Sequence, residues 1–238
     1  MTPGQPLAPR PDTQRWPVVV AALLTFGAGT LDVVALTHLG GVFASVMTGN
    51  LALMGLGLAR ADGTTILHTG VAVLSYVVAV AVGTRITGAR EPDAPTWPRS
   101  VTATLSVQIV VQCALAIGWV MSDAAPAGGL QLGLLAAAAA SMGLQGAAMR
   151  GLGVTLATTY LTGTLTGLIA ARARVPALRS DAPGLAALIA AVAGAACGGL
   201  MLMTAPSATP LLWVVPLAAV IATAEWRHHR SAGSTATS

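Results

Sequence analysis

The chain contains no lysine, and charge of either sign is scarce: 8% of its 238 residues are charged. Soluble domains carry about 25%, so these residues cannot cover a molecule with a wetted surface. Aromatic residues make up only 4%. No basic patch is interleaved with them, which argues against a nucleic-acid partner. There are two cysteines, Cys113 and Cys197, each inside an apolar run. Their spacing gives neither a disulfide framework nor a metal site, and both are expected to be small buried apolar side chains. P-loop, dinucleotide-binding, nucleophile-elbow and His-Glu-x-x-His patterns are all missing. The few polar groups make no acid–base–nucleophile set. The expectation is a protein that is not an enzyme and needs no cofactor or metal.

What the chain has is apolar length: 55% of its residues are hydrophobic. Eight apolar segments can be marked, at 17–38, 42–59, 67–88, 101–122, 129–149, 152–171, 183–204 and 210–226. Several reach the ~20 residues needed to cross a ~30 Å hydrocarbon core. The lipid bilayer is therefore the first partner implied. The first run is too long for a signal-peptide core and should remain as a membrane helix. Residues 1–16 and 227–238 read as disordered polar tails. The stretch 89–100 is the most polar interior segment and lies outside lipid.

Two apolar segments are interrupted by polar residues in the same way. The first holds Ser45-Val46-Met47-Thr48-Gly49-Asn50, and the second holds Leu161-Thr162-Gly163-Thr164, 114 residues later. The same offset pairs Gly29 with Gly143, Arg60 with Arg174 and Gly70 with Gly184. The pattern divides the membrane domain into a first repeat, 17–122, and a second, 129–226.

All twelve basic residues are arginines, and they test the topology. If all eight segments cross, eight arginines fall inside and four outside. If the two interrupted segments enter and leave on one side, eleven fall inside and only Arg60 outside. Positive charge is retained on the cytoplasmic side, which favours the second arrangement. The expected fold is thus an all-α membrane protein of about six transmembrane helices plus two broken or re-entrant segments. Each half then has three crossings, so the 3+3 repeat is inverted and both termini are cytoplasmic. The alternative is eight spans arranged 4+4.

Candidate site residues follow from the cost of polar groups in lipid. Asp32, the only acid well inside a span, marks a pathway or a polar interior and is a candidate proton carrier. The interruptions free backbone groups that must be bonded or line a cavity. Ser45, Thr48, Gly49 and Asn50 in one half, and Thr162, Gly163 and Thr164 in the other, could satisfy them or hold a solute or ion. Broken segments at matching places in two halves point to a transport site. Gln145 is the counterpart of Asp32 to within one residue. Gln108 and Gln112 share a helix face and read as interhelical glue. Gly129-xxx-Gly133 and Gly194-xxx-Gly198 read as packing faces.

At Gly29-Thr30-Leu31-Asp32, Leu39-Gly40-Gly41-Val42-Phe43-Ala44-Ser45 and Met47-Thr48-Gly49-Asn50-Leu51, the chain resembles the YoaK family of bacterial membrane proteins. A second signature lies in Gly143-Leu144-Gln145, Arg150 and Leu161-Thr162-Gly163-Thr164-Leu165. Gly146 stands where the resemblance leads one to expect asparagine. The resemblance implies a multi-pass protein of the bacterial inner membrane with about six helices, and it implies no activity. The residues themselves favour a small secondary transporter of an unnamed small solute, with proton coupling through Asp32. A non-transporting scaffold or accessory subunit is the alternative, and a channel a weaker one. Assembly as a homo-oligomer is compatible with both.

Overall fold

The computed structural model describes residues 11–88, 97–152, 163, 165–167, 169–170 and 182–235. Among the described residues the long helices are α1 Pro11–His38, α2 Met47–Arg60, α3 Gly63–Thr87, α4 Arg99–Met121, α5 Gly128–Gly151, α6 Ala182–Thr204 and α7 Leu211–Thr235. A 3-10 turn at Pro206–Ala208 joins the last two. Six of these helices are long and apolar enough to cross a membrane. The exception is α2, whose 14 residues rise about 21 Å, short of a ~30 Å hydrocarbon core.

The ends of the helices fix the crossings. Trp16 of α1 and Trp97 before α4 have ring centroids 6.0 Å apart, and the Arg227 guanidinium of α7 lies over the Trp16 ring. At the opposite end His38 meets Trp119 edge-on, and Trp119 Nε1 donates to the Pro206 carbonyl at 2.9 Å. The chain between α1 and α3 therefore starts and finishes at the His38 end. Helix α6 runs parallel to α1, with Gly194 against Phe26 and Gly198 against Thr30. Hence α5 ends and α6 begins at the Trp16 end. Arg85, Arg99, Arg150, Arg227 and Arg230 gather at that end, while Arg60 lies at the other.

Packing divides the bundle into two groups. Helix α1 packs on α6 and α7, and α3 on α5, which also carries α4. Glycines let backbones touch: a methyl added at Gly194 would run into the Phe26 carbonyl, and one at Gly29 into that of Ala191. Thr30 Oγ1 bonds across this seam to the Gly194 carbonyl at 2.9 Å. Between α5 and α3, a methyl at Gly143 would lie 2.6 Å from the Tyr76 carbonyl oxygen.

Several expectations change. The polar tails are shorter than expected, because 11–16 and 227–235 are helical. The α7 extension carries Arg227 over Trp16 and Arg230 over Trp226, so aromatic faces hold its charges. Cys113 and Cys197 are exposed rather than buried. A helix that is apolar on every side gives no sign of which face turns inward. The Gly194-xxx-Gly198 face packs, but Gly129 and Gly133 are exposed and meet nothing within contact distance among the described residues. Among the described residues six helices are candidates to cross, as expected of the six-span arrangement.

Candidate functional site

The first polar cluster is built around the loop at 39–46. Helix α1 stops at Gly40 and Gly41, whose φ angles of 102° and 75° lie in the region that glycine enters freely. The Gly40 backbone also passes against the His68 ring, where no side chain would fit. From there the loop turns back toward the bundle. The Ser45 amide donates to Asp32 Oδ1 at 2.7 Å, and the Ser45 hydroxyl donates to Oδ2 at 2.5 Å. Asp32 lies six residues before His38, about 9 Å along the helix, so Ser45 is well inside the level of the α1 end. Asn50 completes the clamp. Its Oδ1 accepts from the Phe43 amide at 2.9 Å and its Nδ2 donates to the Phe43 carbonyl at 2.7 Å.

Helix α2 then returns the chain to the start of α3. Ala61, at φ 52°, ends it in the left-handed region, and the Asp62 amide bonds to the Gly57 carbonyl at 2.9 Å. Asp62 caps α3. Its carboxylate accepts from the Thr65 hydroxyl at 2.6 Å and from the Thr64 and Thr65 amides. These bonds, led by the Thr65 hydroxyl, hold the Asp62 carboxyl below the ordinary carboxylate range. The segment 39–60 thus dips inward and leaves where it entered, as expected of a re-entrant piece.

The second cluster lies between α4 and α5, near the middle of both. Gln108 Nε2 donates to Gln145 Oε1 at 3.0 Å and reaches Ser141 Oγ at 3.5 Å. Gln112 Nε2 donates to Ser141 Oγ at 3.0 Å. Gln145 Nε2 donates to the Leu24 carbonyl of α1 at 3.2 Å, tying both groups of helices together. Relative exposures are 0% for Gln108 and Ser141, 1% for Gln145 and 2% for Gln112. The Oε1 atoms of Gln108 and Gln112 are enclosed and have no hydrogen-bond partner among the described residues. A buried acceptor left in this way costs roughly 1–3 kcal/mol.

The expected site residues therefore separate. Asp32, Ser45 and Asn50 meet in the loop clamp. Thr48 is exposed on α2, and Gly49 packs under the Phe43 ring. Gln145 belongs to the other cluster. Gly163 is helical and exposed, while Thr162 and Thr164 lie outside the described residues. Ser141 was missed: a serine in an alanine-rich run gives no chemical signal, though its place one turn before Gln145 was readable. Gln108 and Gln112 do join helices, as expected of glue, yet each keeps a spare oxygen. Gly146 faces the Tyr76 hydroxyl at 3.3 Å from where a Cβ would stand, so an asparagine there would have to displace it.

The family described as "Protein of unknown function (DUF1275)" matches residues 20–224. The UPF0700 transmembrane protein YoaK of Bacillus subtilis (strain 168) is 30% identical over 149 residues, covering 62% of this chain and 64% of that protein. The similarity thus spans just under two thirds of that relative's length. No solved structure matches.

Proposed function

The chain belongs to the DUF1275 family, and on that premise we propose that this multi-pass membrane protein is a small secondary transporter built as an inverted 3+3 repeat. The observation that carries the reading is the exchange of partners between halves. Gly29 of α1 lies against the Ala191 carbonyl and Ala195 amide of α6, and Gly143 of α5 against the Tyr76 carbonyl and Val80 amide of α3. Gly29 and Gly143 are 114 residues apart, the offset that also relates the Thr-Gly interruptions. Each half docks its first helix on a later helix of the other half. Rocking of one such group against the other is how inverted repeats expose a central site alternately to the two sides.

The gathering of arginines at one end supports cytoplasmic termini in a bacterial inner membrane. The buried glutamine cluster between α4 and α5 supplies polar groups near mid-depth, where transporter sites lie. Proteoliposomes that accumulate or release a tracer solute faster than protein-free vesicles support the reading, and equal rates for every solute in a broad panel sink it. Proton coupling through Asp32 is tested in the same vesicles with a pH-sensitive dye. Equal proton movement in wild type and Asp32→Asn removes Asp32 from the mechanism.

One observation favours the alternative of a non-transporting scaffold. Asp32 already accepts from the Ser45 amide and hydroxyl, and Asn50 is already bonded to the Phe43 backbone. That clamp needs no solute to satisfy it.

A further inference from the structure

We infer that the solute is a small molecule rich in N–H or O–H donors, neutral or singly positive, and that the spare oxygens of Gln108 and Gln112 receive it. The inference rests on the transporter reading above. It follows from the hydrogen-bond inventory of the α4–α5 cluster. Each glutamine amide group donates to a protein oxygen: Gln108 to Gln145 and Ser141, Gln112 to Ser141, and Gln145 to Leu24. Two acceptors, Gln108 Oε1 and Gln112 Oε1, are left without a partner among the described residues.

The two glutamines are four residues apart on one helix face, so their side chains are neighbours about 5–6 Å apart at Cβ. A ligand with two donors can bridge them, as urea or guanidinium would. An anion finds no charged donor among these groups. The described arginines sit toward the helix ends; on α5, Arg150 lies five residues beyond Gln145, in the last turn. The Asp32 carboxylate is committed to Ser45. A negative solute would therefore face uncompensated oxygens in a low-dielectric interior, the costly arrangement for a charge.

The packing encloses both oxygens, so a solute reaches them only when α4 parts from α5. The geometry described here is then the closed form, in which two acceptors go unpaired. A donor solute repays that loss in the open form, and this difference between states is what lets a ligand shift such an equilibrium.

The test uses full-length protein in proteoliposomes with tracer urea, guanidinium and methanesulfonate, which are similar in size and differ in charge. Wild type should pass urea or guanidinium at least tenfold faster than methanesulfonate. Gln112→Met should lower that passage at least fivefold while keeping the wild-type elution volume and helix content. Gln112→Glu should raise the guanidinium-to-urea ratio at least threefold, an outcome that loss of folding cannot produce. Methanesulfonate passage as fast as urea, slowed equally by Gln112→Met, overturns the donor assignment and leaves the transporter reading standing. Passage of all three no faster than through protein-free vesicles overturns both.

Discussion

Asn50 and Asp62 show how single residues bend this chain within a membrane-sized helix array. Asn50 makes two hydrogen bonds to the Phe43 backbone, one to its amide and one to its carbonyl, and in lipid no water is available to replace them. Asn50→Ala should destabilise the protein by about 1–3 kcal/mol and open the loop at 39–46 to protease. Thermal melting and limited proteolysis of the purified protein measure the two effects. Asp62 makes a pH prediction. Its folded pKa lies below the ordinary 3.8, so its capping contribution is present above that value and lost as pH falls through the lowered one. Exchange protection of the Thr64 and Thr65 amides should stay constant from neutral pH down to about 5 and drop only at lower pH. In Asp62→Asn the protection should be weaker and flat across the range, and an acid-dependent drop in that variant would contradict the assignment.

At the scale of the element, helices meet through glycine, and the seams differ in how much room they leave. A methyl at Gly194 would meet Phe26 backbone, whereas one at Gly133 would meet nothing. Gly194→Ala should therefore cost about 1–3 kcal/mol, the usual range for overpacking, and Gly133→Ala should leave the melting temperature unchanged. Differential scanning fluorimetry on the two variants separates them. Apolar length marked eight segments in the sequence, and the arginine count favoured the arrangement in which the segment containing Asn50 does not cross. Rotational phase was not legible. Cys113 and Cys197 turn outward, and Gly129-xxx-Gly133 looks like a packing stripe yet packs on nothing described. Membrane helices are apolar on packed and lipid faces alike, so composition cannot say which face is which. The pairing of Asp32 with Ser45, and of Gln112 with Ser141, depends on that phase and on a loop path that no periodicity records.

Among the described residues the helices form two groups, α1–α6–α7 and α3–α4–α5, linked by packing of α4 on α7 and by bonds such as those from Gln145 to Leu24 and from Gln131 to His38. The arginine distribution predicts which side each end faces. With Cys113 and Cys197 replaced by serine, Ala61→Cys in intact cells should react with an impermeant maleimide. His229→Cys should react only after the membrane is opened, and the reverse pattern would contradict the orientation. The transporter reading requires the centre between α4 and α5 to become wet at some stage, whereas a scaffold keeps it dry. Ser141→Cys in the same cysteine-free background tests this most directly, because a water-soluble thiosulfonate modifies only a hydrated thiolate. The account predicts that Cys at 141 reacts at a measurable rate and that urea or guanidinium slows it. No reaction while the membrane and fold remain intact, with Ala61→Cys labelled as the positive control, would contradict it.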